Sequence, residues 1–203
     1  ILISYLTIRS YLSIHYIKRM TPLKFKVFDD FITPTYQSVI RDFIMSPETH
    51  WCYQPYMDEN NKGYSQFVHA VYDKEQNVND HLLHNLICGL LSKIKDELCP
   101  QGYHYRTRAI LQTPVPDKPE HYIPHIDNTN NKAYSFIYYP HDATGNTFMF
   151  DHNHNILDSV TPKQGRLIMF PSNVLHAGSP PTTDRRLLLN INYLNTPSIN
   201  YSK

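Results

Sequence analysis

From residue 103 onward the chain is a succession of short β-forming runs, and this limits its fold more than any other feature. The runs fall at 105–113, 121–126, 133–139, 147–150, 156–160, 166–170 and 187–194. Polar turn clusters separate them: PVPDKPE, DNTNN, HDATGN, TPKQG and SPPTTD. Short strands at regular spacing, joined by polar turns, predict a β-sandwich or barrel. Composition agrees. Sixteen Tyr, nine Phe and fifteen Pro against six Gly favour aromatic strands with Pro-punctuated loops.

The first hundred residues read as support for that β core. Residues 24–31 predict a strand. Thr33-Pro34 resembles an N-cap followed by proline at the first helical position, and the helix is expected over 34–45. Residues 46–64 read as a loop carrying Trp51, Tyr53 and Tyr56, either edge packing or one wall of a substrate pocket. A strand is expected over 65–72. Asn79 or Asp80 then caps a long helix to about residue 98. Its stripe of Leu82, Leu83, Leu86, Ile87, Leu90, Leu91 and Ile94 has helical spacing and reads as core bracing a sheet. The fold class is α+β, mainly β.

At 203 residues the length suits one domain, placed at 20–203 with Met20 as its expected first residue. Residues 1–19 read as an extension outside the native domain. They are apolar, but Arg9 and His15 interrupt them, well short of the roughly 18 apolar residues of a span. An amphipathic membrane-surface helix is the alternative for this segment. Nineteen Lys+Arg balance eighteen Asp+Glu, so no basic field points to nucleic acid. No membrane partner is expected. Cys52, Cys88 and Cys99 have no metal-ligand spacing and read as free thiols in a reducing, cytoplasmic setting.

One constellation carries chemistry. His125 and Asp127 stand i, i+2 at the expected end of a strand, a spacing that puts both on one face. His176 follows the Phe170-Pro171-Ser172 turn, and Arg186 stands ten residues beyond it. Two histidines and one carboxylate suit Fe(II), Zn or Mn; such a face with open positions is the mark of non-haem Fe(II) oxygenases. The arginine could hold an anionic co-substrate. Taken alone, H-x-D is a weak motif in a chain with twelve histidines. His152 and His154 form a competing H-x-H, but FDHNHN reads as an exposed turn.

Residues 105–195 resemble the 2-oxoglutarate- and Fe(II)-dependent dioxygenase superfamily, in particular its prolyl 4-hydroxylase-like branch. The segments that carry the resemblance are PHIDN, KAYSFIYYP, TGNTFMFD, GRLIMFPSNVLHAGSP and RRLLLNINYL, in the family's order. The resemblance implies a double-stranded β-helix, or jelly roll, of two facing sheets. It makes His125, Asp127 and His176 the iron ligands and catalytic centre. Arg186 becomes the residue binding the distal carboxylate of 2-oxoglutarate, with Arg185 turned to solvent. Tyr139 is expected to hydrogen-bond the same carboxylate, with Tyr138 facing the other way. The strand RAILQTPVP departs from the family pattern: Gln112 or Thr113 stands where a tyrosine is often found. Leu189, Ile191, Ile168 and Phe170 are candidates for the apolar wall.

The activity implied is hydroxylation of a C–H bond, with 2-oxoglutarate and O2 consumed and succinate and CO2 released. Fe(II) is the metal, and ascorbate is a further candidate cofactor. The substrate implied is a prolyl or other residue of a protein or peptide, with a small molecule as the alternative. Two other functions are open: a non-catalytic jelly-roll metal-binding module, and a cupin-like metalloenzyme that does not use 2-oxoglutarate.

Overall fold

The computed structural model describes residues 25–57 and 62–195. The expectation for residues 1–19 lies outside the described residues. The order of elements is β1 (Lys26–Phe28), α1 (Pro34–Ile44), β2 (Cys52–Gln54), β3 (Gln66–Asp73), β4 (Val78–Asn79), α2 (His81–Leu86) and α3 (Cys88–Lys93). A π-helical turn (Ile94–Leu98) follows, then β5 (Gly102–Gln112), β6 (Ala133–Tyr138), β7 (Thr147–Phe150), β8 (Ile156–Val160), β9 (Leu167–Pro171), β10 (His176–Gly178) and β11 (Arg186–Asn195).

The strands form two antiparallel sheets. The larger runs β1-β9-β6-β11-β5-β3-β2, with β4 beside β3; the smaller runs β10-β7-β8. This is the expected mainly-β jelly roll. Alternation along the strands creates two cores. On β11, Leu187, Leu189, Ile191 and Tyr193 pack outward against the helical layer of Ile40, Ile44, Leu83, Ile87, Leu90 and Ile94. Leu188 turns inward, to the cluster of Ile137, Tyr139, Met149, Val160, Ile168 and Phe170 between the sheets.

The single long helix expected to end near residue 98 is broken. The Tyr36 hydroxyl donates to the Leu86 carbonyl at 2.5 Å, and the backbone leaves helical geometry at Ile87 (φ −91°, ψ 3°). A side chain inserted into the hydrogen-bond ladder is a recognised cause of such a break. The last turn widens, so that Cys99 N–H reaches Ile94 O at 3.0 Å. Asp80, not Asn79, is the cap: its carboxylate accepts from Leu82 and Leu83 N–H at 2.9 and 3.2 Å. Leu82, counted in the core stripe, is 71 % exposed, whereas Leu83, Ile87, Leu90, Leu91 and Ile94 are buried and Leu86 is partly so. Thr33 sits at the α1 cap position without a side-chain capping bond.

Three short strands lie where none was expected. β2 falls in the 46–64 loop, β4 has only two residues, and β10 is the three-residue run carrying His176. Conversely, the strand expected over 121–126 is absent. Pro124 removes an N–H donor inside it, and Pro114, Pro116 and Pro119 do so in the segment leading to it. What survives is an interrupted ladder along β10: Tyr122 N–H to Gly178 O, then a two-way bridge between His125 and His176, each bond 2.9 Å. All three cysteines are free thiols; Cys99 is buried, which pushes its thiol pKa up. No helix among the described residues is long and apolar enough to cross a membrane.

Candidate active site

The His125–His176 bridge is what assembles the cluster. Backbone pairing sets the imidazole centroids 4.6 Å apart. Asp127 is fixed one step further on, where its N–H and that of Asn128 both donate to Ser172 O at 2.9 and 3.1 Å. The two histidine Nε2 atoms each lie 3.9 Å from Asp127 Oδ1. One donor atom from each of the three residues lies within 4.8 Å of the others, and no other such trio of His, Cys, Asp or Glu occurs among the described residues. His152 and His154 stay apart from this cluster, in an exposed turn where His154 has φ 65°.

Each member is held from behind. His176 Nδ1 meets the Val174 carbonyl at 2.9 Å, so Nδ1 carries the proton and Nε2 is left as the acceptor facing Asp127. Asp127 Oδ2 accepts from the Ser135 hydroxyl at 2.5 Å, and Asn192 Nδ2 stands 3.4 Å away. Burial alone would raise the Asp127 carboxyl pKa. The facing imidazoles, His176 first, with the Ser135 hydrogen bond and the Arg106 charge, bring it below its ordinary value. His176 and Asp127 are buried (side chains 4 % and 6 % exposed), whereas His125 is 40 % exposed, so the cluster opens on the His125 side.

A cavity of about 260 Å³ lies against this cluster. Its floor is made by β5 and β11, which pair antiparallel with Arg186 opposite Gln112, Leu188 opposite Ile110 and Asn190 opposite Arg108. All six of these residues line the cavity, because same-parity residues share a face. This parity corrects one expectation. Leu189 and Ile191 cannot share a face with Arg186; they pack against the helices, and Leu188 supplies the apolar wall. Ile168 and Phe170 do belong to the inner cluster.

Arg186 occupies the far end of the cavity and is 2 % exposed. Its Nε donates to Gly145 O at 2.6 Å, Nη1 to Gln112 Oε1 at 2.9 Å and Nη2 to Thr147 Oγ1 at 2.6 Å. These bonds use three of its five N–H donors. Among the described residues no carboxylate pairs with it. Arg185 points outward and pairs with Asp184, as strand alternation requires. Tyr139 is buried with its hydroxyl 2.5 Å from Thr147 Oγ1, and the Arg186 guanidinium lies 5.7 Å from its ring centre. Tyr138 lies on the opposite, helix-facing side. Of the loop aromatics, Trp51 packs against the helical core and Tyr53 against Phe67; Met57, not singled out from the sequence, is the loop residue at the cavity.

Residues 111–194 match the family model of the 2OG-Fe(II) oxygenase superfamily. That part of the chain is similar to this superfamily. The matched span runs from the end of β5 through β11 and contains every member of the cluster and Arg186. Solved oxygenases share the fold. A prolyl-4-hydroxylase from Pseudomonas putida is 15 % identical, with 86 % of this chain and 94 % of that chain covered and a TM-score of 0.60. A 2OG-Fe(II) oxygenase family oxidoreductase from Burkholderia pseudomallei is 13 % identical, with 84 % of each chain covered and a TM-score of 0.65. A prolyl hydroxylase from Trichoplax adhaerens, solved with a hypoxia inducible factor peptide fragment, is 13 % identical, with 88 % and 86 % covered and a TM-score of 0.59. At these identities the likeness is one of fold. No curated protein matches the sequence.

Proposed function

We propose that this protein is an oxygenase that hydroxylates a C–H bond of a prolyl or other residue in a peptide, or of a small molecule, using Fe(II), 2-oxoglutarate and O2. The observation that carries the reading is Arg186: a buried cation without a carboxylate partner among the described residues, at the end of a cavity whose wall is the His125/Asp127/His176 cluster. A buried charge is costly unless paired. A dicarboxylate co-substrate supplies the missing partner.

The donor set fits iron: two imidazole nitrogens and a carboxylate, with the open side toward the cavity. In this reading His125, Asp127 and His176 hold Fe(II), which supplies the oxidising chemistry with O2 as 2-oxoglutarate is converted to succinate and CO2. The chain's own residues do the positioning. Val174 O keeps His176 in the ligating tautomer, and Ser135 orients Asp127. Arg186 binds the distal carboxylate through its remaining N–H donors; a planar guanidinium suits paired hydrogen bonds to carboxylate. Gln112 and Thr147 aim the guanidinium. Tyr139 shares Thr147 with Arg186, its hydroxyl lying 2.5 Å from Thr147 Oγ1, and in this reading it supports the same carboxylate site. Leu188, Ile110 and Ile137 line the cavity with apolar surface that excludes water. The prolyl hydroxylases among the structural neighbours support a peptide substrate.

The test is succinate release by the pure protein with Fe(II) and 2-oxoglutarate in air, across prolyl peptides and free amino acids. Substrate-stimulated succinate that disappears in His176→Ala supports the reading. Metal binding with no 2-oxoglutarate consumption across the panel would overturn it.

A further inference from the structure

The end of the cavity away from Arg186 carries a second positive feature. On β5, Arg106 and Arg108 share the inward face with Ile110 and Gln112, and both line the cavity. Strand pairing sets Arg108 opposite Asn190 and Arg106 opposite Asn192. These are the two asparagines whose amides approach Asp127. The two arginines therefore flank the metal-binding cluster on the side opposite Arg186. Four residues of strand separate Arg108 from Gln112, roughly 13 Å at the usual rise.

Among the described residues no carboxylate lies within close hydrogen-bonding distance of both arginines. Arg106 Nε donates to a neutral acceptor, Asn192 Oδ1, at 2.9 Å. Arg108 reaches Asp73 only at 3.8 Å. That ion pair is made by Asp73 Oδ2, while Oδ1 accepts the N–H groups of Glu75 and Gln76 at 3.0 and 3.1 Å. The Arg108 pKa is lowered, by burial first and the neighbouring Arg106 charge second, against the opposing pull of Asp73 and Asp127. Beside them Asn190 keeps a buried amide oxygen with no hydrogen-bond partner among the described residues. Two adjacent cations on the cavity wall, Arg108 in only a 3.8 Å ion pair and Arg106 bonded to a neutral amide, form with this acceptor a recognition face for an anionic group with a nearby donor.

We propose that Arg106 and Arg108 bind a carboxylate of the substrate itself, distinct from the co-substrate carboxylate at Arg186. This rests on the oxygenase reading and narrows its substrate to acidic molecules. The carboxylate comes either from a free acid or from an acidic side chain beside the reacting residue.

Affinity for matched probe pairs tests this on the Fe(II) and 2-oxoglutarate-loaded protein, anaerobically by calorimetry so that no turnover is needed. One pair is N-acetyl-L-proline and N-acetyl-L-prolinamide; the other is acetyl-Ala-Pro-Glu-Ala-amide and its Gln counterpart. The acidic member of at least one pair binds about tenfold or more tightly than the neutral one, as a charge-assisted hydrogen bond allows. Preference in the first pair assigns the carboxylate to a small acid, and in the second to a peptide side chain. In Arg108→Gln the acid-to-amide ratio collapses toward one, and Arg108→Lys restores part of it. A ratio, unlike an absolute affinity, is insensitive to partial misfolding. Equal or undetectable binding of both members in both pairs overturns the proposal, as does an unchanged ratio in Arg108→Gln and Arg106→Gln. Failure of the oxygenase reading registers separately, as absent 2-oxoglutarate consumption in air.

Discussion

Arg186 and Gln112 face each other across the β11–β5 pairing and are joined by a 2.9 Å hydrogen bond from Nη1 to Oε1. The amide neither neutralises the arginine nor occupies all its donors. It sets the plane of the guanidinium and leaves the charge for a ligand.

Replacing Arg186 by Leu is therefore expected to weaken 2-oxoglutarate binding by one to two orders of magnitude, from the loss of about 1.5–3 kcal/mol of charge-assisted hydrogen bonding. Gln112→Ala should cost only a few-fold, since Thr147 and Gly145 still hold the side chain. Titration of 2-oxoglutarate into the anaerobic Fe(II) protein, followed by its weak visible absorption band, measures both. Equal losses in the two variants would contradict the assignment of the charge as the main contact.

Ser135 lies behind the cavity lining, and its hydroxyl anchors Asp127 and also contacts Ser172 at 2.8 Å. Ser135→Ala is expected to lower metal affinity about 10–100-fold, the usual cost of removing a partner that orients a metal ligand. Asp127→Asn should lower it further by removing the anionic donor. Competition with a chromogenic chelator, using Co(II), reads both without turnover.

Gly145 has φ +90°, and a Cβ there would meet Ser179 O at 2.6 Å and Arg186 Cδ at 3.0 Å. Its carbonyl also accepts the Arg186 Nε bond. Gly145→Ala is expected to destabilise the fold by about 1–2 kcal/mol from the left-handed backbone alone. It should also weaken 2-oxoglutarate binding. Urea unfolding and the co-substrate titration together check this; a stability loss with normal co-substrate affinity would detach the turn from the Arg186 site.

His104 lies in a stack with Tyr72, His84 and Tyr193, far from the metal cluster in sequence. Burial first, and the neighbouring His84 second, push its pKa down to about 4. The folded protein thus resists protonation that the unfolded chain accepts near pH 6.5. This contribution is fully present above pH 6.5 and is lost as pH falls toward 4, reaching about 3 kcal/mol. His104→Gln should flatten that part of the pH dependence in urea midpoints at pH 7, 5.5 and 4. An unaltered slope would show that other groups carry the acid sensitivity.

Much of the site was legible because its residues lie in marked local contexts. His125 and Asp127 follow a proline, His176 follows Phe-Pro-Ser, and Arg186 opens an apolar run. The partners behind them were not. Val174 O is a local partner two residues before His176 that carries no side-chain signal, Ser135 is brought to Asp127 by tertiary packing, and Gln112, noted only as a departure from the family pattern, meets Arg186 through strand register across 74 residues. Arg106 and Arg108 also escaped notice, since their meaning depends on which face of β5 turns inward. The Tyr36 hydroxyl that breaks the long helix acts from 50 residues away, beyond any helical window.

By itself the sequence determined the class of the fold, the three metal-ligand candidates and the choice of Arg186 over Arg185. Each follows from period-two alternation, turn chemistry or motif resemblance, all of which are written locally. Only the tertiary structure decided how His125 and Asp127 are held: by an isolated two-way bridge to His176 on β10 and by N–H donation to Ser172 O, outside any continuous strand. It also decided that Leu188, not Leu189, faces the site, and that two arginines flank the cluster opposite Arg186. Those outcomes depend on register between distant strands, where a one-residue slip exchanges every inward side chain for its outward neighbour.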